Sequence, residues 1–299
     1  MKKQASAFNK SLIAAVALAL SGTASALTIT STFIDNGDSF TNAAVGTGGA
    51  AASNVVGGGT LTNIFNTAID WWETAILDTH NVDIEYGWQS LSGSTLASHN
   101  LGSEGGTPHR ETSATIRFDN DGSSGTSWFM DASPLDSSEY ITLTETTTDY
   151  GGGLLNDSRV YTGATGDAVG NFDLFSTALH EIGHALGLSS ANDAFAAENG
   201  DLDIDVDFVT AYLGSVLPTV SGAHLDISSS LMYPFAGTSQ RVMLSGADIL
   251  ANCEISEFSE CNFDPSLGMA SVPVSSTLAL LLLAGLPLVR VANNAKQVK

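Results

Sequence analysis

Two histidines and a glutamate stand close together at His180-Glu181-Ile182-Gly183-His184. On a helix, residues four apart lie one above the other, so the two imidazoles can hold one metal ion between them. Glu181 is adjacent in sequence but angularly offset, which lets it reach a water at the metal without being a ligand. That arrangement suits peptide hydrolysis, in which zinc polarises the scissile carbonyl and lowers the pKa of its water while a carboxylate moves the proton. His180 and His184 are the expected metal ligands and Glu181 the expected general base. The surrounding sequence predicts the helix they need. Leu174, Phe175, Ala178, Leu179, Ile182, Ala185 and Leu186 mark its buried side, and Asp173 can cap its N-terminus.

With the run extended to Ala185-Leu186-Gly187-Leu188, the segment resembles the active-site helix of metzincin proteases, matrixins in particular. Downstream, Ser230-Leu231-Met232-Tyr233-Pro234 is similar to the matrixin Met-turn. The resemblance implies an α+β fold: a metzincin-like zincin with a mixed twisted sheet, an active-site helix and a Met-turn. It implies zinc on His180 and His184, Glu181 as base, and Met232 as a support beneath the metal that does not bind it. Tyr233 is expected either to line a substrate cleft or to pack beside Pro234. The chain departs from the pattern at the third ligand, where Ser190 stands three residues after Gly187. A catalytic zinc normally takes three protein ligands. Asp193 ranks first for the role because it needs the shortest excursion, with His224 and Glu198 as alternatives.

Elements must position these groups. Leu61, Ile64, Phe65, Ala68, Trp72, Ala75 and Ile76 recur at helical spacing and predict a helix ending near Leu77. Val82, Ile84, Tyr86 and Trp88 alternate with polar or small residues, as do Ala114, Ile116 and Phe118, and Trp128-Phe129-Met130 is a shorter strand candidate. Polar, glycine-bearing residues 89–113 between the first two strands read as a long loop, with His99 and His109 as bystanders or substrate-side contacts. Asp119-Asn120-Asp121-Gly122 and the group Asp131, Asp136 and Glu139 offer the hard oxygens Ca2+ prefers. Neither has the spacing of a calcium loop, and each is equally a turn in an acidic protein. Asp201, Asp203, Asp205 and Asp207 alternate with apolar residues and predict an extended edge. Gly246 to Ala251 predicts a C-terminal helix.

The ends read differently from the middle. Residues 1–26 carry a basic start, a short apolar run and Ala24-Ser25-Ala26, the pattern of a secretory signal peptide. Residues 27–60 read as a flexible leader, propeptide-like, or as an irregular edge wrapped on the domain, and 61–270 as the metalloprotease domain. From Val272-Pro273, residues 271–299 run through an apolar stretch to Arg290, Lys296 and Lys299. This tail resembles PEP-CTERM sorting signals, with Val274-Ser275 where Glu-Pro belongs. It predicts a transmembrane tether or a sorting and anchor segment met by C-terminal processing machinery.

Between residues 27 and 271 only Arg110, Arg117, Arg159 and Arg241 oppose 32 acidic residues, a formal charge of −28. Such a surface repels nucleic acid and anionic membrane, while the metzincin resemblance implies protein or peptide substrates. Cys253 and Cys261 are the two cysteines, and in an exported chain they predict a disulfide. The function expected is an extracellular zinc-dependent endopeptidase, secreted or held at the envelope of a Gram-negative bacterium. The alternative is a catalytically weak or inactive surface or matrix protein on a zincin fold.

Overall fold

The computed structural model describes residues 26–122 and 127–265. Strand β1 (Thr28–Ile34) is followed by β2 (Val55–Val56), helix α1 (Leu61–Ala75), β3 (Asn81–Gln89), β4 (Ala97–Gly105) and β5 (Arg110–Asp119). After β6 (Trp128–Phe129), the hairpin β7 (Tyr140–Asp149) and β8 (Leu154–Ala164), and β9 (Phe172–Asp173), the chain enters α2 (Leu174–Ala185). There follow α3 (Asp193–Glu198), β10 (Asp203–Asp205), β11 (Val216–Val220), β12 (His224–Leu225), β13 (Arg241–Val242) and α4 (Gly246–Ile255). The fold is α+β.

Its main sheet has the order β1-β3-β5-β4, with β1, β3 and β5 parallel and β4 antiparallel at the edge. Val82, Ile84, Tyr86 and Trp88 of β3 and Ala114, Ile116 and Phe118 of β5 are buried. Each large apolar side chain covered in this way contributes about 1.5–3 kcal/mol. Helix α1 starts where the Thr60 hydroxyl accepts the Asn63 N–H. It packs against α2 and is tied to it by the Trp72 indole N–H, which donates to the Leu179 carbonyl at 2.9 Å.

Residues 89–113, predicted as a loop, contain β4. Ala97–Gly105 lacks apolar alternation because an edge strand lies over the sheet's rim, half-exposed throughout most of its length. Within residues 27–60, β1 pairs in register with β3, Phe40 is buried, and Glu85 accepts the Thr41 and Asn42 N–H groups at 2.6 and 2.8 Å and the Thr41 hydroxyl. The hairpin β7–β8, rich in threonine and open to solvent along β7, has no counterpart in the sequence expectations.

The C-terminal part closes on α1. Cys253 and Cys261 form a disulfide, the Leu77 N–H donates to the Glu260 carbonyl, and the Asn262 N–H donates to the Ala75 carbonyl, each at 2.8 Å. The transmembrane expectation is corrected: no helix among the described residues is long and apolar enough to cross a membrane. The apolar run from Val272 lies outside the described residues, as does the signal-peptide pattern of residues 1–25.

A buried cation fixes the start of α2. Arg241 is completely covered and bonds both oxygens of Asp173 at 3.0 Å, Asp131 at 2.8 Å, and the Pro134 and Asp136 carbonyls at 3.1 Å. Asp173 in turn caps the Ser176 N–H at 3.0 Å. Asp131, one of the carboxylates considered for calcium, is thus neutralised by the protein's own arginine. Arg241→Met leaves two buried carboxylates without a counter-charge and should cost about 3–5 kcal/mol. Urea unfolding checks this; a shift within about 0.5 kcal/mol, the range of an ordinary surface change, would show that the cluster holds nothing together.

Candidate metal centre

Helix α2 is buried over most of its surface, yet it carries two imidazoles and a carboxylate. Gly183 makes the approach from below possible. A Cβ there would stand 2.5 Å from the Met232 sulfur and 3.1 Å from the Trp72 ring. Gly187, at φ +144, ends the helix where a side chain would meet the Ser256 hydroxyl at 2.7 Å. The chain can then fold back so that the Leu188 carbonyl receives the His184 ring.

Both imidazoles are oriented by main-chain carbonyls. His180 Nδ1 faces the Leu231 carbonyl at 2.7 Å, and His184 Nδ1 faces that of Leu188. Each Nδ1 is assigned the hydrogen from its carbonyl partner, which leaves Nε2 with its lone pair. The two Nε2 atoms are 3.1 Å apart. Lone pairs at that distance repel unless a proton or a cation lies between them. A proton is disfavoured. Burial and the neighbouring His224 lower the His180 pKa to about 4, and burial with the adjoining imidazoles lowers that of His184 well below its usual value.

His224 completes the group. One ring nitrogen of each of His180, His184 and His224 lies within 4.8 Å of the others, forming a metal-binding cluster. A tetrahedral zinc held at about 2.0–2.1 Å spaces its ligand nitrogens about 3.3 Å apart, close to the separation found across α2. Three neutral imidazoles therefore fit such an ion. His224 is aimed by β12, which pairs with β11 at Val220, and by a left-handed turn through Gly222 (φ 89) and Ala223 (φ 62). A non-glycine residue in that region costs about 1–2 kcal/mol.

Asp193, ranked first for the third position, is corrected. Asn192 caps α3 by accepting the Phe195 N–H at 3.0 Å, so the chain turns into a new helix at Asp193. The Asp193 carboxylate points to His109 and Glu104 and is 71% exposed. Glu198 is likewise elsewhere, its carboxylate accepting the Asp205 N–H at 3.0 Å. Met232 is fully buried against α2, in a turn held by Asp248, which accepts the Leu231 and Met232 N–H groups at 3.2 and 2.9 Å. Tyr233 lies half-buried on the wall of the cleft beside Phe235.

That cleft, about 580 Å³, runs between Ser94 to His99 on the β4 side and Tyr233 to Gly237 on the other, with α2 as its floor. Glu181 faces it. The carboxylate is covered, one oxygen has no partner among the described residues, and burial pushes its pKa up to about 8 against the His99 amide and the Arg117 charge. His99, read from sequence as a bystander or a substrate-side contact, is enclosed: its ring bonds the buried Glu111 at 2.8 Å and lies 6.0 Å from the His184 ring. No local pattern marks it, because β4 itself is unmarked. Comparisons with known protein families, with curated proteins and with solved structures return no match for this chain.

The raised Glu181 pKa has a signed consequence in chelator-treated protein. Between the ordinary 4.5 and about 8, the folded chain holds a proton that the unfolded chain releases. The stabilisation is full below the lower value and is lost as pH rises through the upper one. Glu181→Gln keeps an acceptor for the His99 amide and does not titrate. Measured by urea unfolding from pH 5 to 9, wild type should lose stability relative to Glu181→Gln as pH rises; parallel curves would contradict the buried carboxylate.

Proposed function

We propose that the chain is a zinc-dependent endopeptidase of matrixin-like design whose third metal ligand is His224. The observation that carries this is the facing pair of unprotonated Nε2 atoms on α2, closed by a third imidazole and flanked by a buried carboxylate. Zinc at this position supplies a Lewis acid for the scissile carbonyl and lowers the pKa of the attacking water.

The protein's own groups do the rest. The Leu231 and Leu188 carbonyls hold the His180 and His184 rings so that both Nε2 atoms converge. Glu181 accepts a proton from the attacking water and passes it toward the leaving amine, with the His99 amide fixing the direction of its carboxylate. Burial keeps the basicity of that carboxylate high. Strand β4 is the open edge of the sheet and forms one rim of the cleft, so an extended peptide can add to it through main-chain hydrogen bonds. A substrate laid in this way passes over α2 with a peptide bond near Glu181.

The turn at Ser230 to Pro234 supports the matrixin-like assignment, since Met232 sits beneath α2 while Leu231 orients a ligand. The Cys253–Cys261 disulfide supports an oxidising, exported setting, in keeping with the signal-peptide pattern at the start of the chain.

Glu181→Ala should retain the wild-type metal content while cleavage of a denatured protein falls about 10²–10⁴-fold. His224→Ala should lose both the cleavage and one equivalent of zinc by elemental analysis. Full cleavage in either variant would sink the assignment.

A further inference from the structure

A second group of unlike donors lies outside the cleft. Glu104 lies one residue before the end of β4, His109 occupies the turn into β5, and Asp193 opens α3. His109 Nδ1 is 3.3 Å from Glu104 Oε1 and 3.4 Å from Asp193 Oδ2, and one donor atom of each residue lies within 4.8 Å of the others. These separations exceed the 2.7–2.9 Å of a charge-assisted hydrogen bond. They match the spacing of about 3.3 Å between ligands that share a tetrahedral ion.

The backbone around the group is already fixed. Asn192, completely buried, donates its side-chain amide to the His109 carbonyl at 3.0 Å, and the Asp193 N–H donates to Glu104 Oε2 at 3.2 Å. Three chain segments therefore present their donors without needing an ion to gather them. Among the described residues, two carboxylates meet here with no guanidinium between them. Arg110, the nearest in sequence, gives its guanidinium to the Ser256 and Glu257 carbonyls at 2.5 and 2.8 Å. Glu198, Asp207, Glu254 and Glu257 line the adjoining pocket with His109 and Asp193, and their field draws cations toward it.

We propose that Glu104, His109 and Asp193 form a second metal site, selective for a first-row divalent ion such as zinc. One imidazole and two carboxylates suit such an ion, whereas calcium takes oxygen ligands alone. Bound there, the ion joins the β4–β5 turn to the segment after α2 whose Leu188 carbonyl holds His184. The site needs no catalysis at the cleft.

The test uses full-length protein stripped by a chelator, equilibrated with zinc chloride and analysed for bound metal. Wild type should hold two zinc ions per chain, and His109→Ala and Asp193→Asn one each. His224→Ala should also hold one, and the His109→Ala/His224→Ala double variant none. Two ions retained in both His109→Ala and Asp193→Asn, or a single wild-type ion that survives in both, would overturn the second site. A single wild-type ion lost in His109→Ala but kept in His224→Ala would uphold it and sink the three-histidine assignment instead. Thermal unfolding gives an independent readout: the part of the zinc-induced rise in Tm that His224→Ala retains should vanish in the double variant.

Discussion

Everything at the centre of this molecule depends on two main-chain carbonyls. Leu231 and Leu188 each accept an Nδ1–H from a histidine of α2, and so decide which nitrogen of each ring is left bare. Neither carbonyl belongs to the helix. One comes from a turn pinned by the buried carboxylate of Asp248, the other from the chain reversal at Gly187. The helix supplies the spacing of the rings, and the segments packed around it supply their protonation state. A carbonyl that receives the ring N–H of a histidine sets the orientation and basicity of metal ligands generally.

The same economy appears in the electrostatics. With four arginines against 32 acidic side chains between residues 27 and 271, the protein can pair only a few of its carboxylates with cations. Several of the others it pairs with backbone amides. Glu85 holds Thr41 and Asn42, Glu254 holds Asp207, Phe208 and Val209, and Asp248 holds Leu231, Met232 and Ser245. Each clamp satisfies N–H groups of irregular chain that would otherwise lack partners. The arginines go to joints between elements, and the most buried, Arg241, locks the N-terminus of α2.

How much of this could be read in the sequence follows from how local each signal is. Helices α1 and α2 and strands β3 and β5 declare themselves through apolar periodicity because one face of each meets the core. Strand β4 does not, since an edge strand over a cleft needs neither face fully apolar. Strand β7 is exposed on both faces and leaves no alternation. The third histidine was visible as a candidate, but its place was not. His224 reaches α2 through the pairing of β11 with β12 and a strained turn, neither of which has a local signature. Asp193 seemed nearer because sequence distance hides the helix cap at Asn192, which redirects its carboxylate. His99 was named, but its placement went unread for the same reason as β4, the strand that carries it.

The closure of the C-terminal part on α1 also sets an order of events in time. The carbonyl that orients His180 is positioned by Asp248, and α4 is itself fastened through Cys253, Cys261 and Asn262 to the end of a helix made some two hundred residues earlier. A ribosome that has delivered α2 has delivered both histidines but not the parts that aim them. The three-histidine cluster is therefore completed only once the C-terminal part has closed on α1. Until then the chain carries its histidines as ordinary side chains.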